Sequence, residues 1–438
     1  MGFTENIEKQ FDTLDVKDNV TPALRKNALN AFSKLGIPTI RHEEWKYTNI
    51  KSKLQEQLVL TPVDSEVNAA VKNYIASLPP YAFRLTFLNG VFHQELSIVP
   101  TDIKGVTVCN LKEAISHHPA LVEKHLGKLV NYNEEHFAAL NTAFVNDGAF
   151  IHIQRNVQVT EPIYIHYFFT ASDVSAFTQT RCLTILEQGA SLHLAEDFRN
   201  ASNIGVQYNH VTEVFLDKNA TMDIVKLQLE VSNAIGVHTM EAQVERDARF
   251  SAATVTFSSP TTGTGNALIR NNATARLIGE GAHADLNGLY FGKENALIDN
   301  HILVDHVSPN CTSNQLYKGV LNGESTGVFN GKIFVKPDAQ KTNAFQSSKA
   351  LLLSNDASIN SKPQLEIFAD DVKCSHGAAI GQLDENALFY LRARGINKEE
   401  ATQILTYAFA HEVIDHVHSK PIRQFLCDKL KDELKVNF

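Results

Sequence analysis

The sequence predicts a mainly β protein whose centre is a solenoid of stacked strands, with helical regions at both ends. Three observations support this prediction. Between about residues 140 and 380, long helical periods are absent and short runs of alternating apolar and polar residues replace them. Turn-like tetrads separate these runs, and the first two tetrads lie 30 residues apart. Helical periodicity is concentrated before about residue 55 and after about residue 384.

The tetrads share a composition that suits tight corners. Each contains an acidic or amide residue, then Gly, Asn or Asp, and ends in Ala. They are Glu187–Ala190, Asp217–Ala220, Gly279–Ala282, Lys293–Ala296 and Ser354–Ala357. Gly and Asn tolerate positive φ, and Ala fits a crowded corner. A recurring strand–corner unit must stack on its neighbours to bury its apolar face, which favours a parallel β-helix. The pattern alone leaves an antiparallel sandwich or barrel open.

The flanking regions read differently from the centre. Residues 1–135 are predicted to be mostly helical or α/β, with a helix that stops at Gly36-Ile37-Pro38 and a strand at Phe83–Leu88. Residues 136–382 form the predicted β-helix core. Residues 383–438 are predicted to be a helical domain that caps the solenoid or stands away from it as a docking surface.

Composition excludes several classes of function. The formal net charge is −9 and the pI is about 6.1, which argues against nucleic-acid binding. No apolar run is long enough for a membrane span, and the polar start of the chain does not resemble an export signal. The cysteines are odd in number and far apart, which fits reduced thiols and a cytoplasmic location. They are Cys109, Cys182, Cys311, Cys374 and Cys427.

The sequence contains only incomplete versions of two common catalytic motifs, the P-loop and the zincin helix. Gly288–Glu294 and Gly327–Ile333 are each one residue short of a P-loop and lack its final Ser or Thr. His411 and His416 are five residues apart, whereas a zincin helix places its histidines four apart on one face. We therefore expect no enzymatic activity and no tightly bound cofactor in the isolated chain.

One segment combines two metal-ligand side chains. If Cys374-Ser375-His376 is extended, Cys374 and His376 point to the same face. A thiol and an imidazole are suitable ligands for iron or zinc. The alternative is a buried structural cysteine beside a histidine at the end of the sheet. The residues alone do not decide between these two interpretations.

The residues around this pair resemble a known family. Asp370–Ala378, followed by Leu388–Ile396, closely resembles the SufD branch of the SufB/SufD family of the SUF iron–sulfur assembly system. Further similarity is spread over nearly the whole chain, in Glu44-Trp45-Lys46-Tyr47-Thr48, Tyr317-Lys318-Gly319-Val320, Gln340-Lys341-Thr342 and Leu351-Leu352-Leu353-Ser354. The SufB branch usually carries a His-Glu-Ala segment and a preceding cysteine that this chain lacks, which favours the SufD branch.

The resemblance implies a right-handed parallel β-helix and a non-catalytic scaffold. It implies a complex with a SufB-like paralogue, joined through the β-helix, and with a SufC-like ATPase, joined through the C-terminal helices. It implies that His376, with Cys374 close by, serves as a transient iron ligand shared with SufB during cluster assembly. The residues expected to bind partners are Leu388, Tyr390, Arg394 and Phe409.

Two other interpretations stay open at this point. The chain could be a free-standing β-solenoid that binds a carbohydrate or small ligand, or a metal-dependent enzyme. The first expects an aromatic or acidic strip along the solenoid, yet the only tryptophan, Trp45, lies outside the predicted core. Whether isolated chains form homodimers, and whether Cys374 is a ligand, a persulfide relay or structural, does not follow from the sequence.

Overall fold

The computed structural model describes residues 3–14, 18, 20–54, 58–60, 67–79, 81–100, 103–170, 176–202, 204–229, 233–258 and 267–436. Its α-helices are α1 Phe3–Asp12, α2 Pro22–Leu35, α3 Ala69–Ser77, α4 Leu111–His117, α5 Pro119–His125, α6 His136–Phe144, α7 Glu385–Ala393, α8 Lys398–Ile414 and α9 Lys420–Leu434. Its first strands are β1 Phe83–Leu88, β2 Val91–Phe92, β3 Val106–Asn110, β4 Gly148–Ile153, β5 Ile163–Phe169, β6 Phe177–Leu186, β7 Ser191–Asn200, β8 Val206–Leu216, β9 Thr221–Leu229 and β10 Ala234–Val244. The later strands are β11 Arg249–Phe257, β12 Leu268–Leu277, β13 His283–Gly292, β14 Leu297–His306, β15 Thr312–Leu321, β16 Thr326–Val335, β17 Thr342–Leu352, β18 Ser358–Ile367 and β19 Val372–Gly381.

The strands form two long sheets that face each other, so the mainly β fold and the parallel β-solenoid are confirmed. One sheet runs β19-β17-β15-β13-β11-β9-β7-β5-β1-β2, and the other runs β18-β16-β14-β12-β10-β8-β6-β4-β3. From β4 onward every strand pairs in parallel with the strand two later, at a spacing of 28 to 34 residues. One coil of the solenoid is therefore one strand from each sheet. β1 and β3, from the N-terminal third, extend the two sheets at their first edge.

All five predicted corner tetrads lie between consecutive strands. Gly189 and Gly281 have φ values of 69° and 71°, and Asn219 has φ of 58°. The alanine that ends each tetrad is buried, from 0% exposed at Ala220 to 6% at Ala357. Positive φ occurs at Gly or Asn in three of the five corners, at Glu294 in a fourth, and at no residue of Ser354–Ala357. The small buried alanine, in contrast, is common to all five corners, as the sequence pattern predicted.

Apolar side chains stack in register to form the interior. On the ten-stranded sheet one stack consists of Leu192, Met222, Phe250 and Ala284, each 1% exposed or less. On the nine-stranded sheet a facing stack consists of Val214, Ala242, Ala275 and Val304. Because each coil covers the apolar face of the next, the solenoid core continues through many coils.

The interior also holds charged side chains that sequence reasoning missed. Glu196, His210 and Lys226 each lie on the inward face of their strand and are 0%, 0% and 3% exposed. Lys226 Nζ lies 3.0 Å from one carboxylate oxygen of Glu196, and His210 Nε2 lies 3.0 Å from the other. The core is therefore apolar with a buried ionic network at one level.

The N-terminal segment packs on the outer face of the nine-stranded sheet. Trp45 is buried against Phe137, and the guanidinium of Arg270 lies 4.0 Å above its ring. Thr48 donates a hydrogen bond to the buried Asp299 at 2.5 Å. Glu43 pairs with Lys362 of β18 at 2.8 Å. This segment thus contacts several successive coils, including the last one.

Helices α8 and α9 neither cap the solenoid nor stand away from it, which corrects our expectation for this part of the C-terminal region. Helices α8 and α9 lie along the outer face of the ten-stranded sheet, where Ala410, Val413, Leu426 and Leu430 pack against apolar residues of the strands. The physical reason is that outward positions on β9, β11 and β13 are themselves apolar and need cover. Those positions are Val225, Leu227, Leu229, Ala253, Val255, Phe257, Leu289 and Phe291. Among the helices in the described part of the chain, none is long and apolar enough to cross a membrane.

Candidate functional site

The terminal coil of the solenoid contains the predicted ligand pair. β19 is extended and pairs with β17, which places Cys374 beside Ala344 and His376 beside Gln346. Ala344 and Gln346 are 0% and 3% exposed, so this face points into the solenoid. Cys374 and His376 therefore share the inward face of the last strand, as strand alternation predicted.

Cys374 lies in an apolar corner of this coil. It is half-buried and packs with Ile333, Val335 and Leu365. Burial raises the pKa of the Cys374 thiol, and a hydrogen bond from the Ala344 backbone opposes that effect only in part. The thiol is therefore protonated at neutral pH, and it must lose its proton before it can bind a metal or attack a sulfur atom.

His376 is the more accessible of the two. It lies in the middle of β19 and is exposed, as are its neighbours Ser375 and Gly377. A Cβ placed on Gly377 would have nothing within 4 Å, so a partner can approach the backbone here. Among the described residues, no group of three or more His, Cys, Asp or Glu side chains is placed to hold a metal ion.

The coil around this pair has unpaired edges and exposed apolar groups. β18 and β19 end their sheets, and no further strand of the described chain pairs with them. Phe345, Phe368 and Ile380 are 48%, 60% and 51% exposed. We name this surface, from β18, β19 and these three side chains, the terminal face. Free backbone N–H and C=O groups beside exposed apolar side chains are typical of an interaction surface.

The four predicted partner-binding residues occupy two environments. Tyr390 and Arg394 are exposed on or just after α7, with the Arg394 guanidinium 4.6 Å above the Tyr390 ring, and Leu388 is half-buried. Phe409 is half-buried instead, on the α8 face that lies against the solenoid. Lys318 Nζ lies 4.4 Å from its ring and donates a hydrogen bond to its carbonyl. Phe409 thus joins α8 to the sheet.

The segments that resemble P-loop and zincin motifs have structural roles in the fold. The first glycine–lysine segment, Gly288–Glu294, lies on β13 and its corner, and the second, Gly327–Ile333, lies within β16. His411 contacts Asp415 at 3.2 Å, and its other ring nitrogen is 3.5 Å from the Cys427 sulfur. Glu412 forms an ion pair with Lys318. The contacts with Cys427 and Lys318 attach α8 to α9 and β15, while the contact with Asp415 lies within the end of α8 itself.

Comparison with protein families decides the relationship. The model of the SUF system FeS cluster assembly SufBD core domain matches residues 168–409, and the model of the SufBD protein N-terminal region matches residues 6–165. The chain belongs to the SufBD family. The core match begins at the end of β5, covers the solenoid strands from β6 to β19 and continues into α8, so it includes the terminal face and α7. Membership of the SufBD family supports a role in iron–sulfur cluster assembly by the SUF system.

Individual relatives agree with this SufBD assignment. The iron–sulfur cluster assembly protein SufD of Escherichia coli is 29% identical over 416 residues, which cover 93% of this chain and 91% of that protein. An iron–sulfur cluster assembly SufBD family protein of Synechocystis sp. is 29% identical over 420 residues, covering 94% and 90%. SufD of Bacillus subtilis is 28% identical over 335 residues, covering 76% and 75%. The similarity therefore extends over nearly the whole chain.

Proposed function

We propose that this chain is a non-catalytic scaffold subunit of the SUF system that supplies half of a site for a nascent iron–sulfur cluster. The observation that supports this most strongly is the terminal face. It places one thiol and one imidazole on the same inward strand face, at the open end of a solenoid. The cluster is the cargo of this site, and the other half of its ligands comes from a second chain.

The second chain is a SufB-like paralogue that joins the terminal face through its own last coil. Strand addition satisfies the free backbone groups of β18 and β19, and it buries Phe345 and Ile380. A second copy of this chain offers the same edges, so a homodimer is the competing assembly when the paralogue is absent. Size measurement of the isolated chain and of the co-expressed pair distinguishes the two assemblies.

His376 and Cys374 differ in how readily each side chain can bind iron. A neutral imidazole has a ring-nitrogen lone pair for iron without any prior proton loss from that nitrogen. The Cys374 thiol, whose pKa is raised by burial, must give up a proton first. His376 is therefore the readier iron ligand, and Cys374 joins or relays sulfur only when a cation arrives to stabilise its thiolate.

The C-terminal helices bind a SufC-like ATPase and transmit its motion. α7 presents Tyr390 and Arg394 to solvent, while α8 is bonded to β15 through Lys318 and Glu412. β15 pairs with β17, and β17 pairs with β19. A movement of α8 driven by ATP in the partner thus acts on the sheet that carries His376 and opens the site.

We expect His376→Ala to lower the cluster content of the complex by about tenfold or more, because an iron ligand is lost. The variant is co-expressed with the SufB-like and SufC-like chains, and iron and sulfide are measured in the purified complex. His117→Ala is the matched control, since that side chain is 68% exposed on α4. Normal cluster loading in an intact His376→Ala complex would contradict the proposal. Cys374→Ser in the same assay separates a ligand or relay from a structural thiol.

We expect Tyr390→Ala to weaken binding of the SufC-like ATPase by about tenfold or more, as aromatic–Arg pairs at interface centres do. The substitution also removes the ring on which Arg394 rests. Binding is measured by titration of the ATPase into the full chain. Tyr47→Ala, which removes a 44% exposed ring from the N-terminal segment, is the control. Equal affinity of the Tyr390→Ala and wild-type chains would refute the assignment of α7.

Deleting everything after residue 382 is a weaker test of the same idea. Such a truncation removes α8 and α9 and uncovers Val225, Leu227, Val255 and Leu289 on the sheet. An exposed apolar face of that size causes aggregation whether or not the ATPase binds there. The single substitution on α7 avoids this effect.

A further inference from the structure

A ladder of amide side chains inside the solenoid ends at the level of His376. Gln315 and Gln346 are register neighbours on β15 and β17, and they are 2% and 3% exposed. The Gln315 Nε2 group donates to the carbonyl of Lys332 across the interior, at 3.3 Å. The Gln346 Nε2 group donates to Gln315 Oε1 at 2.7 Å. Gln346 thus donates its N–H to the preceding rung, whereas Gln315 donates its N–H to β16, the next strand along the chain.

The orientation of the Gln346 amide follows from that contact. The side chain reaches across to β16, where a Cβ on Gly331 would come within 2.5 Å of Nε2. Because Nε2 is turned toward the preceding coil, Oε1 on the same planar group is turned toward the following coil. Within the described chain this oxygen is buried and accepts no hydrogen bond. A buried acceptor without a donor is unfavourable, so a hydrogen-bond donor from the next rung would stabilise it.

The next rung offers one strong side-chain donor. His376 is the register neighbour of Gln346, on the same inward face. The residue opposite on β18 is Pro363, the register neighbour of Gly331, and proline has no N–H. The two same-face neighbours of His376 on β19 are Cys374, whose thiol is a weak donor, and Ala378, which has none. The inward face of β18 also carries the Ser361 hydroxyl, but it lies two residues before Pro363, so the imidazole N–H is the strong donor at the register level of the free oxygen.

We propose that Gln346 is a positioning residue for His376. The two side chains are not hydrogen-bonded in the structure, and a turn of the exposed His376 side chain brings one imidazole N–H to this Oε1. That contact selects the protonated ring nitrogen and leaves the other nitrogen free to face the open end of the coil. A histidine ligand held by a hydrogen bond through its second nitrogen has a fixed tautomer and ring direction. This inference rests on the proposed function of His376 as an iron ligand, and it adds the residue that prepares that ligand.

The test is the tautomer of His376 in the isolated full chain, read from imidazole ¹⁵N shifts of protein labelled at histidine. The signal is assigned by its loss in His376→Ala, and spectra are recorded at a pH where histidine is neutral. We expect one dominant tautomer in the wild type. Gln346→Met, which keeps the volume but removes the acceptor, is expected to move the ratio toward that of free histidine. Gln346→Asn, which keeps an amide but withdraws it by one methylene, is the second variant if the first does not fold.

Gln228→Met is the matched control for a purely structural role. It also removes a buried amide and its hydrogen bond to Asn271, but Gln228 does not contact Gln346, so the orientation of the Gln346 oxygen is unchanged. A tautomer change in the Gln346 variants and not in Gln228→Met supports the inference. An unchanged ratio in Gln346→Met or Gln346→Asn overturns it.

Cluster loading of the co-expressed complex separates this inference from the proposed function. With His376 as a ligand, Gln346→Met is expected to lower loading by about tenfold. Loss of loading in His376→Ala with a normal tautomer in the Gln346 variants refutes only the positioning role. A changed tautomer in those variants with full loading in His376→Ala refutes the ligand role and leaves the hydrogen bond intact.

Discussion

Replacing Arg181 with methionine is expected to lower the free energy of unfolding by about 3 to 5 kcal/mol, the usual cost of leaving one partner of a buried ion pair alone. Arg181 and Glu213 are both 0% exposed, and Nη2 lies 2.5 Å from Oε1. The pair sits on the outer side of β6 and β8, beneath α6 and the segment around Gly127. Removal of the guanidinium leaves the Glu213 carboxylate without a counter-charge.

The other contacts of Arg181 and Glu213 explain why water cannot replace the lost guanidinium beside the Glu213 carboxylate. Arg181 also donates to the side chains of Asn141 and Thr142 in α6, at 2.9 and 3.2 Å. Glu213 accepts the backbone N–H groups of Gly127 and Leu129, at 2.8 and 2.9 Å. This ion pair thus connects the N-terminal region to the first coils of the solenoid. Its loss is expected to destabilise both regions.

Urea unfolding measures the effect, and the chain offers a matched control. Arg246 and Asp247 are 3.5 Å apart with side chains 55% and 57% exposed. Arg246→Met is therefore expected to cost less than about 1 kcal/mol. A loss of similar size in Arg181→Met would show that the buried pair contributes no more than an exposed one. Restored stability in Arg181→Met combined with Glu213→Gln would identify the unpaired charge as the cause.

The solenoid could be predicted from the sequence because its corners are chemically local. A tetrad such as Glu187–Ala190 itself contains the Gly that can adopt positive φ and the small Ala. It can therefore be recognised in the sequence without knowledge of any distant residue. The predicted helix stop at Gly36-Ile37-Pro38 and the predicted strand Phe83–Leu88 rest on local patterns of the same kind, and both agree with the structure, in which α2 ends at Leu35.

Features that depend on register could not be predicted. Coil spacing varies between 28 and 34 residues, so the neighbour of His376 on the preceding coil cannot be read from sequence separation alone. The same-face relation of Cys374 and His376 needs only strand alternation, and it was therefore found. Recognising Gln346 as the neighbour of His376 requires the strand register as well. The position of α8 was mispredicted for a related reason, since α8 packs on strands that are distant in the chain, with Lys318 of β15 already 91 residues before Phe409.

The interior network is the second place where a single substitution should have a large effect. Lys226→Met is expected to cost about 3 to 5 kcal/mol, because it leaves the buried carboxylate of Glu196 without a cation. Burial alone would raise the pKa of Glu196, yet Lys226 and His210 outweigh burial and hold that pKa well below its usual range. Burial lowers the pKa of His210 to about 4, in spite of Glu196. His210 is thus neutral at pH 7, and Lys226 is the cation that balances the charge.

The hydrogen bonds agree with that assignment of charge. A neutral His210 donates Nε2–H to Glu196, and its Nδ1 accepts the hydroxyl of Thr180 at 2.7 Å. Lys226 Nζ also donates to Thr212 at 2.9 Å, and Thr212 lies within 3.2 Å of the Glu196 carboxylate. Methionine at position 226 fills the volume of the lysine stem but supplies none of these donors.

The pH dependence of the loss distinguishes an unpaired charge from poor packing. In the wild type the lowered pKa of Glu196 stabilises the fold above the unfolded value of about 4.3, and this contribution is lost as pH falls below it. In Lys226→Met the pKa of Glu196 is raised instead, so its penalty is present at high pH and relieved as pH falls and the carboxyl takes up a proton. The deficit relative to wild type should therefore shrink between pH 7 and pH 5.

Two further variants complete this test of the interior network. Glu196→Gln combined with Lys226→Met removes both charges and is expected to recover most of the lost stability, since neutral replacements of a buried pair are often tolerated. Lys332→Met, at an exposed pair with Glu366 whose side chains are 34% and 40% exposed, is the control and should cost less than about 1 kcal/mol. A deficit in Lys226→Met that is the same at pH 7 and pH 5, and that the double variant does not reduce, would mean that the lysine acts through packing. The solenoid would then tolerate a lone carboxylate in its core, and charge balance would not explain why Glu196, His210 and Lys226 occur together there.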